Sequence, residues 1–164
     1  MPDLHVCFVC SGNICRSPMA QNIFRKAIAD EGLAERVLVT SCGLGGWHVG
    51  QHADDRARAE LLRHGYSDEH IAAQLGPRDI DSDLLVAMDS GHLRELTHLG
   101  LGDRSVLLRS FDPDAGDDLD VEDPYYGGND DFREVREEIE AAVPGLLAWT
   151  HEHLDDAPAR SHDM

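Results

Sequence analysis

The chain has 164 residues, enough for one domain with a buried core and too few for two ordinary ones. Hydrophobic residues make up 41% and charged residues 28%, which is globular and not disordered composition. Against 14 basic residues stand 32 acidic ones, a net charge of −18 that repels phosphate backbones and argues against a nucleic-acid partner. An anion handled by such a protein has to be met at a small, local positive site.

No stretch reaches the length needed to span a bilayer, so no membrane partner is expected. The start, Met1-Pro2-Asp3-Leu4-His5, lacks the basic-then-apolar layout of a signal peptide. Export without a signal is left open. The four cysteines, Cys7, Cys10, Cys15 and Cys42, crowd into the first 42 positions, whereas a disulfide-stapled secreted domain spreads them out. A reduced, cytoplasmic setting follows. Zinc fits poorly, because no second ligand pair follows Cys10 and Cys15 and the ten His are scattered. No metal and no cofactor are expected.

In chain order, residues 4–9 form an apolar run that predicts a buried strand. Gly12 and Asn13 place a turn in residues 10–17. Pro18 suits the first turn of a helix, along which Met19, Ala20, Ile23, Phe24, Ala27 and Ile28 recur at helical spacing up to a stop at Gly32. Residues 37–41 read as a second strand and 54–64 as a helix closed by Gly65. A third strand over 83–88, a helix over 90–99 and a fourth strand over 105–110 follow. An acidic loop covers 111–130, and a last helix spans 131–153 with an adjustment at Pro144-Gly145. The domain is expected to occupy 1–154, and 155–164 to form a flexible acidic tail. Alternating strands and helices predict an α/β fold: one domain of three α/β/α layers around a twisted, parallel, four-stranded sheet. Ligands of such sheets bind beyond the carboxyl ends of the strands, where the first strand delivers residues 10–17.

A Cys followed six residues later by an Arg decides little by itself, since Cys is most often a small buried hydrophobe. Placement on a strand–loop–helix junction changes that. Gly12 and Asn13 permit positive φ, so successive N–H groups of Ser11, Gly12, Asn13, Ile14, Cys15, Arg16 and Ser17 can turn inward on an anion. The helix N-terminus adds partial positive charge and Arg16 a full one, with a fork that matches phosphate oxygens. The same field favours the thiolate of Cys10, the nucleophilic form, and Ser17 can donate a hydrogen bond to it.

The run Val9-Cys10-Ser11-Gly12-Asn13-Ile14-Cys15-Arg16-Ser17-Pro18-Met19-Ala20 closely resembles the signature of low-molecular-weight protein tyrosine phosphatases. Thr40-Ser41-Cys42-Gly43, Trp47-His48, His70-Ile71-Ala72-Ala73-Gln74, Ala87-Met88-Asp89 and Asp123-Pro124-Tyr125-Tyr126-Gly127 also have counterparts there. Trp47-His48-Val49-Gly50 looks most like the actinobacterial branch.

The resemblance implies a phosphatase that acts on phosphotyrosine proteins through a phosphocysteine on Cys10, with Arg16 binding phosphate and Asp123 as general acid and base. Composition alone does not select Asp123, because Asp112-Pro113 is a second Asp-Pro pair among twenty-one Asp. Asn13, Ser17, Ser41, His70 and Asp89 are implied supports of the loop. A strand-end hydrogen bond, a surface position and a helix N-cap would equally account for Ser41, His70 and Asp89. Ile14, Trp47, His48, Tyr125 and Tyr126 are implied walls of an aromatic slot, though ordinary packing serves Tyr126 as well. Ile14 favours a phosphotyrosine ring over phosphoarginine. Cys15 is either a redox partner of Cys10 or a buried thiol. Cys7 and Cys42 read as core residues. Oligomeric state is open, with a monomer favoured. Three other functions stay in view: arsenate reduction, arginine-phosphate hydrolysis and non-catalytic phosphotyrosine binding.

Overall fold

The computed structural model describes residues 2–156. Four parallel strands, β1 (Leu4–Cys10), β2 (Val37–Gly43), β3 (Leu84–Ala87) and β4 (Ser105–Leu107), form one sheet in the order β2-β1-β3-β4. Five α-helices connect and cover them: α1 (Arg16–Asp30), α2 (Asp55–Arg63), α3 (Pro77–Ile80), α4 (Ser90–His98) and α5 (Asn129–Asp156). The single domain and parallel sheet are those expected from the alternation of elements. Among the described residues no helix is long and apolar enough to cross a membrane.

The apolar run of β1 needs no polar face because both sides of the strand are covered. Leu4, Val6, Phe8 and Cys10 pack into the larger core with α1, α2 and α5. Cys7 and Val9, pointing the other way, join Cys42, Leu85, Ala87, Leu96 and Leu101 beneath α4. Cys7 and Cys42 are fully buried, the core positions expected for them.

Several boundaries differ from expectation. Helix α1 begins at Arg16, not Pro18, because Met19 N already donates to Cys15 O. Strand β4 stops at Leu107; a 3-10 turn over Leu108–Phe111 replaces its second half and buries Leu108 in the larger core. Helix α3, four residues long, is not among the elements the sequence pattern predicts. It starts at Pro77, and Asp79 accepts from Gly76 N at 2.9 Å. Helix α5 starts at Asn129 and continues to Asp156, two residues past the expected domain boundary. The rest of the expected tail, 157–164, lies outside the described residues. Pro144-Gly145 is accommodated inside α5, at the point where a Cβ on Gly145 would lie 2.2 Å from Phe111 O.

Order along the sheet reverses at β1: the chain moves outward to β2, then returns to β3 on the other side. The crevice at that reversal opens beyond the carboxyl end of β1. On the outer layer, Glu60 of α2 is buried and receives Arg136 Nε at 2.5 Å and Arg63 Nη2 at 2.7 Å. Burial alone would raise the Glu60 carboxyl, but the two guanidinium groups hold it below its ordinary value. Its stabilising share is therefore present at neutral pH and lost as pH falls through the depressed value. Arg136→Leu leaves this carboxylate short of its main partner. A loss of about 3 kcal/mol at pH 7 is expected from urea unfolding, shrinking toward acid pH as Glu60 takes up a proton.

Candidate active site

Strand β1 ends at Cys10 and α1 begins at Arg16, so Ser11 to Cys15 form a loop between a strand end and a helix N-terminus. Its turn is made at Asn13, the sole non-glycine residue with positive φ (61°) among the described residues. A short amide side chain tolerates that conformation when it can bond locally. Here it is held on every side. Asn13 Nδ2 donates to Ser17 Oγ at 2.7 Å and to Ser41 Oγ at 3.0 Å. Asn13 Oδ1 accepts from Ala73 N at 2.9 Å, and its backbone carbonyl accepts from His70 Nε2 at 2.7 Å. Ser41 Oγ in turn donates to Gln21 Oε1 at 2.8 Å.

The segment after β2 clamps the loop from outside. Leu44 N donates to Cys10 O and Gly45 N to Ser11 O, both at 2.9 Å. A Cβ on Gly43 would stand 2.9 Å from Ser11 O and 3.0 Å from Gly12 C, so only glycine lets the two backbones approach this closely. Ser17 Oγ lies 2.9 Å from Cys10 Sγ.

Arg16 is buried. Its Nη1 donates to Asp89 Oδ2 and to Val121 O, each at 2.8 Å. Its Nη2 is 3.8 Å from Asp123 Oδ2 and 3.5 Å from His92 Nε2. Burial would raise the Asp89 carboxyl, but the His92 N–H and Arg16 outweigh it and hold it below its ordinary value. Asp89 is also the N-cap of α4, its Oδ1 accepting from His92 N at 2.9 Å. One carboxylate thus caps the helix and orients the arginine.

Cys10, Arg16 and Asp123 face one cavity of about 350 Å³, walled by Ile14, Trp47, His48, Tyr125 and Tyr126. The Tyr125 and Tyr126 rings meet edge to face with centroids 5.0 Å apart. Trp47 and Tyr126 are strongly exposed, at 72% and 92%, so they form a rim and not a packed wall. Asp112, the other Asp-Pro candidate, does not line this cavity. Cys15 does; burial pushes its thiol well above the ordinary range. Cys7 Sγ, on the opposite face of β1, lies 3.7 Å from both Cys42 Sγ and Asp79 Oδ1. Folding thus assembles three donor side chains that sequence spacing did not group. The hydrogen bond with Cys7, then burial, keep Cys42 in the thiol form.

Two contributions escaped the sequence reading. Arg56 forks onto Asp54 through Nε at 3.1 Å and Nη2 at 3.0 Å. It also donates to Tyr125 O and Gly127 O, each at 2.9 Å, while Asp54 N donates to Ile14 O at 2.8 Å. The start of α2 therefore ties the loop to the segment carrying Asp123. The second is His92, whose Nε2 is 2.9 Å from Ser11 Oγ. Arg16 can only donate, so its approach assigns Nε2 as an acceptor and the proton to Nδ1. Spacing of three after an N-cap Asp was the signal available for His92, and it is shared by many helices.

The family model described as "Low molecular weight phosphotyrosine protein phosphatase" matches residues 5–157. "Low molecular weight protein-tyrosine phosphatase A" of Mycobacterium tuberculosis is 54% identical over 153 residues, covering 92% of this chain and 94% of that protein. The "Low molecular weight protein-tyrosine-phosphatase" of Streptomyces coelicolor is 51% identical over 160 residues, covering 94% and 98%. Among solved structures, a protein tyrosine phosphatase from Entamoeba histolytica with Hepes in its active site superposes with a TM-score of 0.85. It is 31% identical and covers 92% of this chain and 98% of its own.

Burial first, and then the charge of Arg16, lower the His92 imidazole from 6.5 to about 4, so it is neutral in the folded protein. Unfolded, it takes up a proton below about 6.5. Its contribution to stability is therefore complete above that value and declines as pH falls toward 4. His92→Gln keeps an acceptor for Ser11 but cannot be protonated. The variant is expected to lose less stability than the wild type between about pH 6.5 and 4, measured by urea unfolding at each pH.

Proposed function

The chain belongs to the low molecular weight phosphotyrosine protein phosphatase family, and we propose that it hydrolyses phosphotyrosine in protein substrates with Cys10, Arg16 and Asp123. The convergence of these three side chains on one cavity at the carboxyl end of β1 carries the reading. Cys10 thiolate attacks phosphorus in line, and the bond to the tyrosine oxygen breaks as Asp123 supplies its proton. The product half is a phosphocysteine and a free tyrosine. Asp123, now ionised, takes a proton from water; that water attacks phosphorus and expels Cys10 as thiolate.

Arg16 and the N–H groups of Ser11 to Ser17 serve the equatorial phosphate oxygens in both steps. Ser17, 2.9 Å from Cys10, stabilises the thiolate as nucleophile and as leaving group. Asn13, Ser41, His70 and Asp89 keep the loop and Arg16 in place. The scheme calls for no metal or cofactor. Four free buried cysteines suit a reducing cytoplasm, and we take the monomer as the working unit.

The lining supports the substrate class. A phosphotyrosine ring standing between Ile14 and the Tyr125–Tyr126 rim meets apolar and aromatic surface in the cavity that Cys10 faces, and a phosphoserine brings no ring to it. Ile14 offers an aromatic ring an apolar contact and a guanidino group none of its hydrogen bonds. Arsenate reduction coupled to a protein dithiol needs resolving cysteines downstream, and none follows Cys42.

Phosphate release from a phosphotyrosine peptide tests the assignment, with phosphoserine and phosphoarginine peptides and arsenate as the other arms. Cys10→Ser is expected to abolish release. Asp123→Asn is expected to lower kcat about 100-fold or more on a poor leaving group. Equal rates on phosphoarginine remove the preference for phosphotyrosine, and arsenate turnover with reductant but without ester hydrolysis reverses the ordering of functions.

Cys15 gives the loop a redox response in the same proposal. Peroxide converts Cys10 thiolate to a sulfenic acid with release of hydroxide; the Cys15 thiol then displaces water, leaving a disulfide that a thiol reductant reopens. Cys15→Ala is expected to make peroxide inactivation largely irreversible while unoxidised activity persists. Recovery equal to wild type after dithiothreitol would show that Cys15 is only a packed thiol.

A further inference from the structure

A second cavity, of about 290 Å³, opens at the β2 edge of the sheet, behind the loop and away from the catalytic pocket. Arg25 from α1 and Arg78 from α3 line it, with Ser41 and His70 among the residues of its inner wall. In a chain of net charge −18, two arginines facing one cavity are already unusual. Their pairing makes them more so. Arg25 spends Nε and Nη2 on Val39 O, at 3.0 and 2.6 Å, and among the described residues it has no carboxylate oxygen within 4.0 Å. Arg78 has its nearest carboxylate, Asp79 Oδ1, only at 4.0 Å. Glu69 also lines the cavity, yet pairs with neither at that distance. Partial burial and the charge of Arg78 both weigh against the charged form of Arg25, with Glu69 offsetting them in part, so two guanidinium groups face one cavity with a single lining carboxylate.

We propose that this cavity is a second oxyanion site, binding a phosphate group between Arg25 and Arg78, and that it acts on the phosphate loop through His70 and Ser41. Guanidinium groups are the donor chemistry that recognises phosphate, Arg25 keeping Nη1 beyond its bonds to Val39 O, and a 290 Å³ cavity admits a free ion or a small monoester. Communication needs no long path. His70 Nε2 donates to Asn13 O, and Ser41 Oγ accepts from Asn13 Nδ2. Both cavity residues thus hold the strained residue of the loop directly. Burial first, offset in part by the Asn13 carbonyl, and then the Arg25 charge set the His70 imidazole below its ordinary value. An anion beside Arg25 offsets that charge and strengthens the hydrogen bond His70 donates to Asn13. Occupancy therefore tightens the loop, and by linkage a filled catalytic pocket tightens the second site. Binding at the cavity stands apart from the catalytic reading; only its effect on turnover rests on that reading.

Amide NMR titration of the full chain distinguishes the two sites, with inorganic phosphate and glycerol 3-phosphate as separate probes. Saturable shifts are expected at the amides of Ser41, His70 and Ala73, with a midpoint different from that of Ser11 to Ser17. Arg25→Gln with Arg78→Gln is expected to weaken the first set at least about tenfold while the loop amides still respond. Arg78→Gln alone, on a side chain 65% exposed, serves if the double variant is unstable. A response to both probes assigns the site to the phosphate group itself; a response to one assigns that source. No saturable shift at the cavity with either probe, or shifts unchanged by the arginine substitutions, overturns the proposal whether or not the protein proves to be a phosphatase.

Discussion

The hold on Asn13 is the constraint on which the catalytic end of this protein depends. A left-handed backbone at a non-glycine residue is costly unless its surroundings fix it. Four hydrogen bonds do so, from α1, β2 and the segment around 70–73. Because these partners come from different elements, the loop acquires its shape only when the sheet, α1 and the clamp after β2 are all in place. Anion recognition is thus a property of the folded domain and not of a short peptide. Gly43 shows the same dependence from the other side, since its missing side chain is what allows the clamp to reach Ser11 O.

Electrostatics follow a similar economy. A surface with 18 excess negative charges repels a phosphorylated substrate at long range, with the reach of that repulsion set by salt. Attraction is concentrated where water is excluded: a buried Arg16, a helix start and inward N–H groups. Keeping Arg16 buried requires partners, and Asp89 and Val121 O satisfy its Nη1 while leaving Nη2 toward Asp123. His92 packs beside it in the neutral form, so it adds contact without a second positive charge. Each neighbour of Arg16 settles either its orientation or its charge balance.

Much of this was legible in order. The strand–loop–helix run around residues 10–17 announces itself because its residue types are dictated locally: glycine and asparagine by backbone conformation, arginine by phosphate geometry. Strand β1 was equally plain, since burial on both faces leaves a continuous apolar run. What was not legible depends on long-range placement. Arg56 is one of thirteen arginines, and nothing near it in sequence says that its donors reach Tyr125 O and Gly127 O. His92 becomes distinctive only once α4 brings it to Ser11. The shortening of β4 has the same origin: Leu108 fits a strand pattern, but the core draws it in through a 3-10 turn instead. Grouping Cys7, Cys42 and Asp79 required knowing which way β1 side chains alternate against β2.

The two halves of the site differ in burial. Cys10 and Arg16 are almost wholly buried on a strand end and a helix start, whereas the Asp123 side chain is 45% exposed on a loop. Arg109 Nη1 holds the loop backbone at Asp118 O and Asp120 O, and Ser90 N and Oγ donate to the Asp120 carboxylate. Arg56 holds its backbone beyond Asp123, at Tyr125 and Gly127, and Val121 holds it before, through Met88 O and Arg16. Between these anchors Asp123 and Pro124 are free of main-chain ties to the sheet, with Pro124 limiting the backbone to a narrow range. The fork from Asp54 to Arg56 matters here because Asp54 N also bonds Ile14 O, so the same strut measures the gap between nucleophile loop and acid loop. Precision in this site resides in the strut and the buried loop, and the half-exposed Asp123 carboxylate they position accepts from Tyr125 N at 3.1 Å and faces Arg16 Nη2 at 3.8 Å.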